Sequence, residues 1–339
     1  MNFLKLLGGG KIFGGLFLGW GIGANDSANI FGTAVATNSI RFRTAVILIA
    51  VFVVVGSFLE GPNLFEEMSF SSPSPEAGEE VADDGHGDTL ALFGTLAAAL
   101  TVTFITYLSI PTSTSQAAVG AFMGIAIAAA GVGAVAWGRF SKMLICWVVN
   151  PIVSMVLCIF LLKALGWVFF SLIRSGLLRD RVIKAGLIVF GCYGAYALGA
   201  NNVVVTTAPY YHAGMFGAPG PEAARWAALI GGVSIALGAL TYSKRVMETI
   251  GKKITPLSPF SALIVVLTHS LALHLFTQFK VPVSSSQAVV GAVIGVGIYH
   301  GARTVNGRTL TRIFLGWLIT PVVAALLAFA AAWALKHLS

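Results

Sequence analysis

The chain has 339 residues, of which 57% are hydrophobic and 10% are charged, and its mean hydropathy is +0.87. A soluble protein needs about a quarter charged residues to cover its surface, so this chain must be solvated largely by lipid. This composition excludes a soluble enzyme, a nucleic-acid-binding protein and a disordered chain. The net charge of +8 does not indicate nucleic acid, because the basic residues stand singly or in small groups between apolar runs, as in the positive-inside pattern.

Ten apolar segments follow one another along the chain. A transmembrane helix needs about 20 apolar residues. The predicted segments cover residues 12–40, 44–60, 90–110, 112–136 and 143–173, and then 182–210, 224–243, 255–279, 282–302 and 312–336. The sequence therefore predicts an all-α polytopic membrane protein.

The ten segments divide into two sets of five that carry the same motifs in the same order. The sequence GAND at 23–26 matches GANN at 199–202, and PTSTSQAAVGA at 111–121 matches PVSSSQAVVGA at 282–292. A third pair, CWVVNP at 146–151 and GWLITP at 316–321, lies at nearly the same offset. These ordered matches indicate an internal duplication, with a first repeat at 1–173 and a second repeat at 174–339.

Charge predicts that the two repeats have opposite orientations in the membrane. The loop at 61–89 has eight acidic residues and no Lys or Arg, whereas the equivalent loop at 244–253 has four basic residues and one acidic residue. Equivalent loops of opposite charge should lie on opposite sides, which requires an odd number of crossings in each repeat. We therefore expect inverted repeats with five crossings each, an external acidic loop at 61–89 and both termini outside, because this arrangement places most of the Lys and Arg inside.

The serine-rich motif that begins at Pro111 predicts a helix that is broken at membrane depth. Proline and Ser or Thr favour the start of a helix, yet the motif lies in a charge-free stretch between Asp88 and Arg139. Backbone exposed there must line a cavity or be buried in protein, and the first turn of a helix attracts anions. The motif, with its counterpart after Pro282, therefore predicts two opposed cradles for a small tetrahedral anion. The candidate residues are Ser113, Thr114, Ser115 and Gln116, with Ser284, Ser285, Ser286 and Gln287. Helix–helix packing is the alternative use of such small polar residues.

The motif at 23–29 places a carboxylate inside an apolar helix. A charged residue such as Asp26 at the bilayer centre costs about 2.5–3.5 kcal/mol and usually marks an ion or proton path. A bare carboxylate beside an anion would be strongly repelled in a low dielectric. A Na+ ion held by oxygens of Asp26, Asn25 and Asn29 would solve both problems, so the pattern predicts cation-coupled anion uptake. A protonated Asp26 in a proton relay is the competing interpretation.

These motifs resemble those of the PiT family of inorganic phosphate transporters, and the resemblance spans nearly the whole chain. It implies Na+- or H+-coupled uptake of phosphate, re-entrant broken helices around the motifs and a homodimer with external termini. It also implies that Asn25 and Asp26 help to bind cation and phosphate, with Asn201 and Asn202 opposite them. If the motif segments are re-entrant, each repeat crosses three times rather than five, and the inversion of the repeats is unchanged.

The chain departs from the family pattern at several polar positions. Asn202 stands where the second family motif has an aspartate, Val205 stands where it has a later asparagine, and Val53 aligns with a family glutamate. Glu60 lies on the same helix face as Val53 and could replace that acid, although an interfacial position at a helix end is the more ordinary reading. Fewer carboxylates should reduce the number of cations held, or shift the coupling toward protons.

We therefore expect a secondary active symporter of inorganic phosphate in the plasma membrane. It would work by alternating access with Na+ as the co-transported ion, and it would be neither an enzyme nor dependent on a cofactor. The alternatives are a proton-coupled carrier of sulfate or another tetrahedral oxyanion, and a passive anion channel. His269 and His274 could relay protons, but they share no helix face well, so we expect them to be packing residues.

Overall fold

The computed structural model describes residues 10–65, 87–108, 112–247, 257–301 and 306–338, and this part of the chain is built from helices. The helices are α1 (Phe13–Ala36), α2 (Phe42–Glu60), α3 (Gly87–Tyr107), α4 (Thr114–Ala130), α5 (Trp137–Leu172), α6 (Gly176–Asn202), α7 (Val204–His212), α8 (Pro221–Tyr242), α9 (Pro259–Gln278), α10 (Ser285–His300) and α11 (Gly307–Leu338). The predicted all-α fold is confirmed. Pro111, most of the acidic loop at 61–89 and part of the loop at 244–253 lie outside the described residues.

Every predicted segment corresponds to a helix, and one of them is divided. The segment at 182–210 forms α6 and α7, which are separated at Val203 directly after the GANN motif. In the described part of the chain, seven segments are long and apolar enough to cross a membrane, namely Phe42–Leu64, Gly87–Tyr107, Trp137–Leu172, Gly176–His212, Pro221–Tyr242, Pro259–Gln278 and Gly307–His337. The first helix, α1, is not among them, since its polar motif lowers its hydropathy. The helices α4 and α10 have only 17 and 16 residues.

The helices α3 and α4 form a hairpin that starts and ends at one end of the bundle. The Lys11 ammonium contacts the Asp88 carboxylate at 2.7 Å, which brings together the beginnings of α1 and α3. A Cβ atom on Gly94, in the first half of α3, would lie 3.3 Å from the side chain of Ile125, in the second half of α4. The hairpin therefore returns toward the end from which it came.

The helices α9 and α10 form the corresponding hairpin of the second repeat. The Ser261 Oγ, early in α9, lies 3.3 Å from Nε2 of His300, the last residue of α10. The following helix, α11, runs to the opposite end of the bundle, where Lys336 donates to the carbonyl of Ala129 at the end of α4 at 3.2 Å. The two hairpins thus enter from opposite ends. The turn of one hairpin contacts the turn of the other through Ser115 and Val283, so neither hairpin reaches the far end and both are re-entrant. The expectation of five crossings in each repeat was therefore wrong, and three crossings per repeat remain.

The packing of the helices repeats the duplication seen in the sequence. The long helix α11 packs on α4 of the first repeat, and α5 packs in the same way on α10 of the second repeat. Glycines allow both contacts, since a Cβ on Gly120 would collide with the carbonyl of Pro321, and a Cβ on Gly291 would collide with that of Pro151. The last helix of each repeat therefore packs against the hairpin of the other repeat. This packing brings the two hairpin tips, residues 112–115 and 283–286, together inside the bundle.

Candidate functional site

The tips of the two hairpins meet in the interior, with the N-terminal ends of α4 and α10 side by side. The hydroxyl of Ser115 donates to the carbonyl of Val283, at a distance of 3.1 Å, and so joins the two tips directly. Both residues are buried. The serine-rich breaks thus adjoin each other in protein rather than facing lipid.

Both short helices are capped in the same way. The Ser113 Oγ accepts a hydrogen bond from the backbone N–H of Gln116, and the Ser284 Oγ accepts one from Gln287, both at 3.3 Å. A serine cap satisfies the third N–H group of a helix and leaves the earlier ones directed out of its end. Two helix ends with neutral donors therefore face the same small region.

Two matched asparagines hold the backbone that precedes each tip. The Asn25 amide donates to Thr106 Oγ1 at 2.9 Å and accepts from the backbone N–H of Thr112 at 3.4 Å. The Asn201 amide donates to Thr277 Oγ1 at 2.9 Å and accepts from the backbone N–H of Val283 at 3.0 Å. These side chains position the broken segments, and the symmetry of their contacts follows that of the two repeats.

The carboxylate of Asp26 lies at the centre of the site and is 1% exposed. Its Oδ2 atom accepts from Thr114 Oγ1 at 2.8 Å and from the Asn202 amide at 3.0 Å. Its Oδ1 atom accepts from the Asn29 amide at 3.2 Å. One carboxylate thus connects α1, α4 and α6, which belong to both repeats.

A row of hydrogen bonds continues from Asp26 to the second hairpin. The amide nitrogen of Asn29 also donates to Ser285 Oγ at 3.0 Å, and this hydroxyl lies 2.9 Å from Nε2 of His269. The His269 ring is fully buried. Within the described residues, Asn29 Oδ1 and His269 Nδ1 have no hydrogen-bond partner.

The two predicted glutamines point to a different space. Gln116 and Gln287 line a cavity of about 500 Å³ between α5 and α11, whose other walls include Trp147, Trp317 and Pro151. Their Oε1 atoms have no hydrogen-bond partner among the described residues. Their side chains therefore lie on the α5 and α11 side of the tips, while Asp26 lies on the α1 and α6 side.

The predicted site residues thus separate into three groups. Around the carboxylate stand Asp26, Asn29, Thr114, Ser115, Asn202 and Ser285. The tips are capped or held by Ser113, Ser284, Asn25 and Asn201, and the hydroxyl of Ser286 contacts that of Ser284 at 3.0 Å. The remaining two, Gln116 and Gln287, reach the cavity behind the tips.

Three residues that touch the tips were not predicted to belong to the site, and one of them, His269, was expected to be a packing residue. His269 contacts Ser285, the Asn150 amide donates to the carbonyl of Ser284 at 2.9 Å, and Thr320 Oγ1 lies 3.0 Å from Thr112 Oγ1. Asn150 and Thr320 directly precede the matched prolines of α5 and α11, so the third repeated motif could have identified them as site residues.

The site combines one buried carboxylate with neutral donors, and no Lys or Arg is among the buried residues of the described ranges. The Asp26 carboxylate and the unpartnered Oδ1 of Asn29 are the hard oxygen ligands that Na+ prefers, whereas the helix ends and hydroxyls suit an anion. The arrangement can hold a cation and an anion next to each other.

Comparisons with known proteins show the family and the fold of the chain. A family model described as the phosphate transporter family matches residues 22–328. A protein of Pyrococcus abyssi, named "Putative phosphate permease", is 28% identical, and the alignment covers 92% of this chain and 94% of that protein. The protein named "Inorganic phosphate transporter 2-1, chloroplastic", from Arabidopsis thaliana, is 24% identical over 97% of this chain and 72% of its own length. A solved structure described as "The sodium-dependent phosphate transporter" has the same fold, with a TM-score of 0.83, 24% identity and coverage of 97% of this chain and 98% of that chain.

Proposed function

The chain belongs to the phosphate transporter family, and on that premise we propose that it is a secondary active symporter that takes up inorganic phosphate together with Na+ by alternating access. It is a multi-pass membrane protein that transports phosphate, and not an enzyme. The observation that carries the proposal is the buried Asp26 carboxylate at the junction of the two hairpin tips.

Phosphate would bind between the N-terminal ends of α4 and α10. The free N–H groups of both first turns and the positive ends of both helix dipoles attract an anion. The hydroxyls of Ser115 and Ser285 stand at this junction. Neutral donors hold an anion less tightly than an arginine fork would, and a carrier must also release its ligand.

Na+ would compensate the charge of Asp26. The three hydrogen-bond donors around this carboxylate are neutral side chains, and a buried charge without an opposite charge is costly. A Na+ ion bound to the Asp26 carboxylate would provide that charge and attract the phosphate. The structural neighbour is described as sodium-dependent, and we extend that coupling to this chain as part of the proposal. A proton on Asp26 is the alternative.

The other predicted site residues have indirect roles in this proposal. Asn25 and Asn201 hold the segments before the tips through the backbone N–H groups of Thr112 and Val283. Gln116 and Gln287 face the cavity between α5 and α11 and do not point to the proposed phosphate site. In this proposal they would contact phosphate only in another conformation of the tips. Alternating access, in which one bundle rocks against the other, would supply such a conformation.

The orientation and assembly of the protein are proposed from the sequence. Lys11 and Lys336 lie at the same end of the bundle, as an even number of crossings requires. The positive-inside pattern favours placing that end outside the cell. The plasma-membrane location and the homodimer rest on the family resemblance.

Uptake of labelled phosphate into proteoliposomes, under separate Na+ and H+ gradients, tests the proposal. We expect phosphate to accumulate above its equilibrium level only with an inward Na+ gradient. Accumulation that needs only the proton gradient would instead support a proton-coupled carrier. Equal competition by sulfate would indicate a broader oxyanion carrier, and equilibration without accumulation would indicate a channel.

A further inference from the structure

His269 has no equivalent in the first repeat. It lies eight residues before Thr277, and the corresponding position before Thr106 is occupied by Ala98. The imidazole is therefore an addition to one half of an otherwise matched site. Its Nε2 atom lies 2.9 Å from the hydroxyl of Ser285, in the first turn of α10, so the addition acts on one tip only.

The hydrogen bonds of Asn29 fix part of the proton arrangement at this tip. The carboxylate of Asp26, 3.2 Å from Asn29 Nδ2, is an acceptor and would repel the amide oxygen. The amide must therefore direct its NH2 group toward Asp26. The same nitrogen is 3.0 Å from Ser285 Oγ, so this hydroxyl oxygen accepts a hydrogen bond from Asn29.

The buried ring then decides where the Ser285 hydrogen points. If the hydroxyl donated to His269 Nε2, the hydrogen of the neutral ring would be on Nδ1, which has no partner among the described residues. A buried N–H group without a partner costs about 1–3 kcal/mol. With the hydrogen on Nε2, the ring donates to Ser285, and Nδ1 is a bare acceptor, which proteins tolerate more readily. The hydroxyl oxygen of Ser285 then accepts from both Asn29 and His269.

We propose that His269 is a positioning residue that makes Ser285 a hydrogen-bond donor to the transported anion. Both lone pairs of the hydroxyl are occupied by Asn29 and His269, so its hydrogen is available for phosphate oxygen at the end of α10. This inference rests on the proposed binding of phosphate between the tips. It assigns the two repeats different tasks, since Thr114, the equivalent of Ser285, donates to Asp26 instead.

Four variants in proteoliposomes test this role through the KM for phosphate. Removal of the imidazole donor in His269→Leu should raise the KM about tenfold, because a hydrogen bond to a charged ligand contributes roughly this factor. The Vmax and the half-saturating Na+ concentration should change little. His269→Gln should retain the wild-type KM, because its amide N–H can replace Nε2–H. Ser285→Ala should raise the KM by a similar factor, and Thr268→Val, a buried neighbour in α9, should match the wild type.

The double variant separates positioning from packing. If His269 acts only through Ser285, His269→Leu should have no further effect on the KM in the Ser285→Ala background. The proposal would be overturned if the increases in KM of the two single variants multiply in the double variant. It would also be overturned if the KM of His269→Gln is raised as much as that of His269→Leu. His269→Met serves the same test if the leucine variant does not fold.

Calorimetric binding of inorganic phosphate to the same purified variants distinguishes this inference from the proposed function. If the wild-type protein binds phosphate but does not accumulate it with Na+, the proposed coupling fails and the binding data still decide the role of His269. If the wild type accumulates phosphate and the leucine variant binds it equally well, only the role of His269 is refuted.

Discussion

The carboxylate of Asp26 and the side-chain amide of Asn202 form a hydrogen bond of 3.0 Å across the junction of the two repeats. The two residues hold equivalent positions in the GAND and GANN motifs. Two carboxylates at this distance could not both ionise readily. The amide at position 202 removes that conflict and gives the single charge of Asp26 a donor from the opposite repeat. The two halves therefore share one charge.

The variant Asn202→Asp should increase the number of cations needed for each phosphate. A second carboxylate beside Asp26 must be neutralised by another Na+ or by a proton, so the Hill coefficient for Na+ should rise and uptake should become more dependent on pH. The control is Asn38→Asp, which adds the same charge at an exposed position. A Hill coefficient and pH profile identical to those of the wild type would contradict a shared charge site.

The variant Asp26→Asn should abolish the Na+ dependence of phosphate uptake and leave the fold intact. The new amide has nearly the volume of the carboxylate and can still accept from Thr114, whereas it carries no charge to recruit a cation. The matched control is Asp88→Asn, because Asp88 forms an ion pair with Lys11 at the surface, and exposed pairs typically contribute less than about 1 kcal/mol. Uptake assays and size-exclusion profiles check both variants. Unchanged Na+ dependence in Asp26→Asn would exclude the assigned role.

The duplicated motifs predicted much of the fold. Because both serine-rich segments carry helix-start residues in apolar surroundings, the sequence predicted two breaks that face each other, and the contact between Ser115 and Val283 agrees with this. The number of crossings could not be predicted in the same way. Hydropathy alone does not separate a re-entrant hairpin from two crossings, and α3 and α9 are each long and apolar enough to span a membrane.

The contacts of the site were less predictable than its location. An asparagine amide suits an ion, an anion or backbone equally well, so the sequence could not show that Asn25 and Asn201 hold the tips. His269 gave no repeat signal, because Ala98 stands in its place in the first repeat. The sequence also predicted that Gln116 and Gln287 belong to the anion cradle, whereas both line the cavity between α5 and α11. The sequence could not show this, because the direction of a side chain in a broken helix depends on how that helix packs against its neighbours.

Cysteine labelling should place the two ends of the bundle on different sides of the membrane. The starting variant lacks the native cysteines Cys146, Cys158 and Cys192. A single cysteine is then introduced in place of either Lys336 or Arg174, which are both exposed. An impermeant maleimide should label position 336 in intact cells and position 174 only after permeabilisation, because the basic segment after α5 is expected inside. The reverse pattern would invert the proposed orientation and leave the fold unchanged.

The close approaches at Gly120 and Gly291 should be sensitive to a single methyl group. In Gly120→Ala the new Cβ would collide with the backbone carbonyl of Pro321, and in Gly291→Ala with that of Pro151. Backbone cannot rotate away as a side chain can, so each variant should lose about 1–3 kcal/mol of stability. Thermal unfolding in detergent measures the loss. Gly138→Ala is the control, since no atom lies within 4 Å of its added Cβ and alanine favours a helix. Equal stability of all three variants would mean that α4 and α10 do not pack on α11 and α5 through these glycines, and the tips would then lack the support that brings them together.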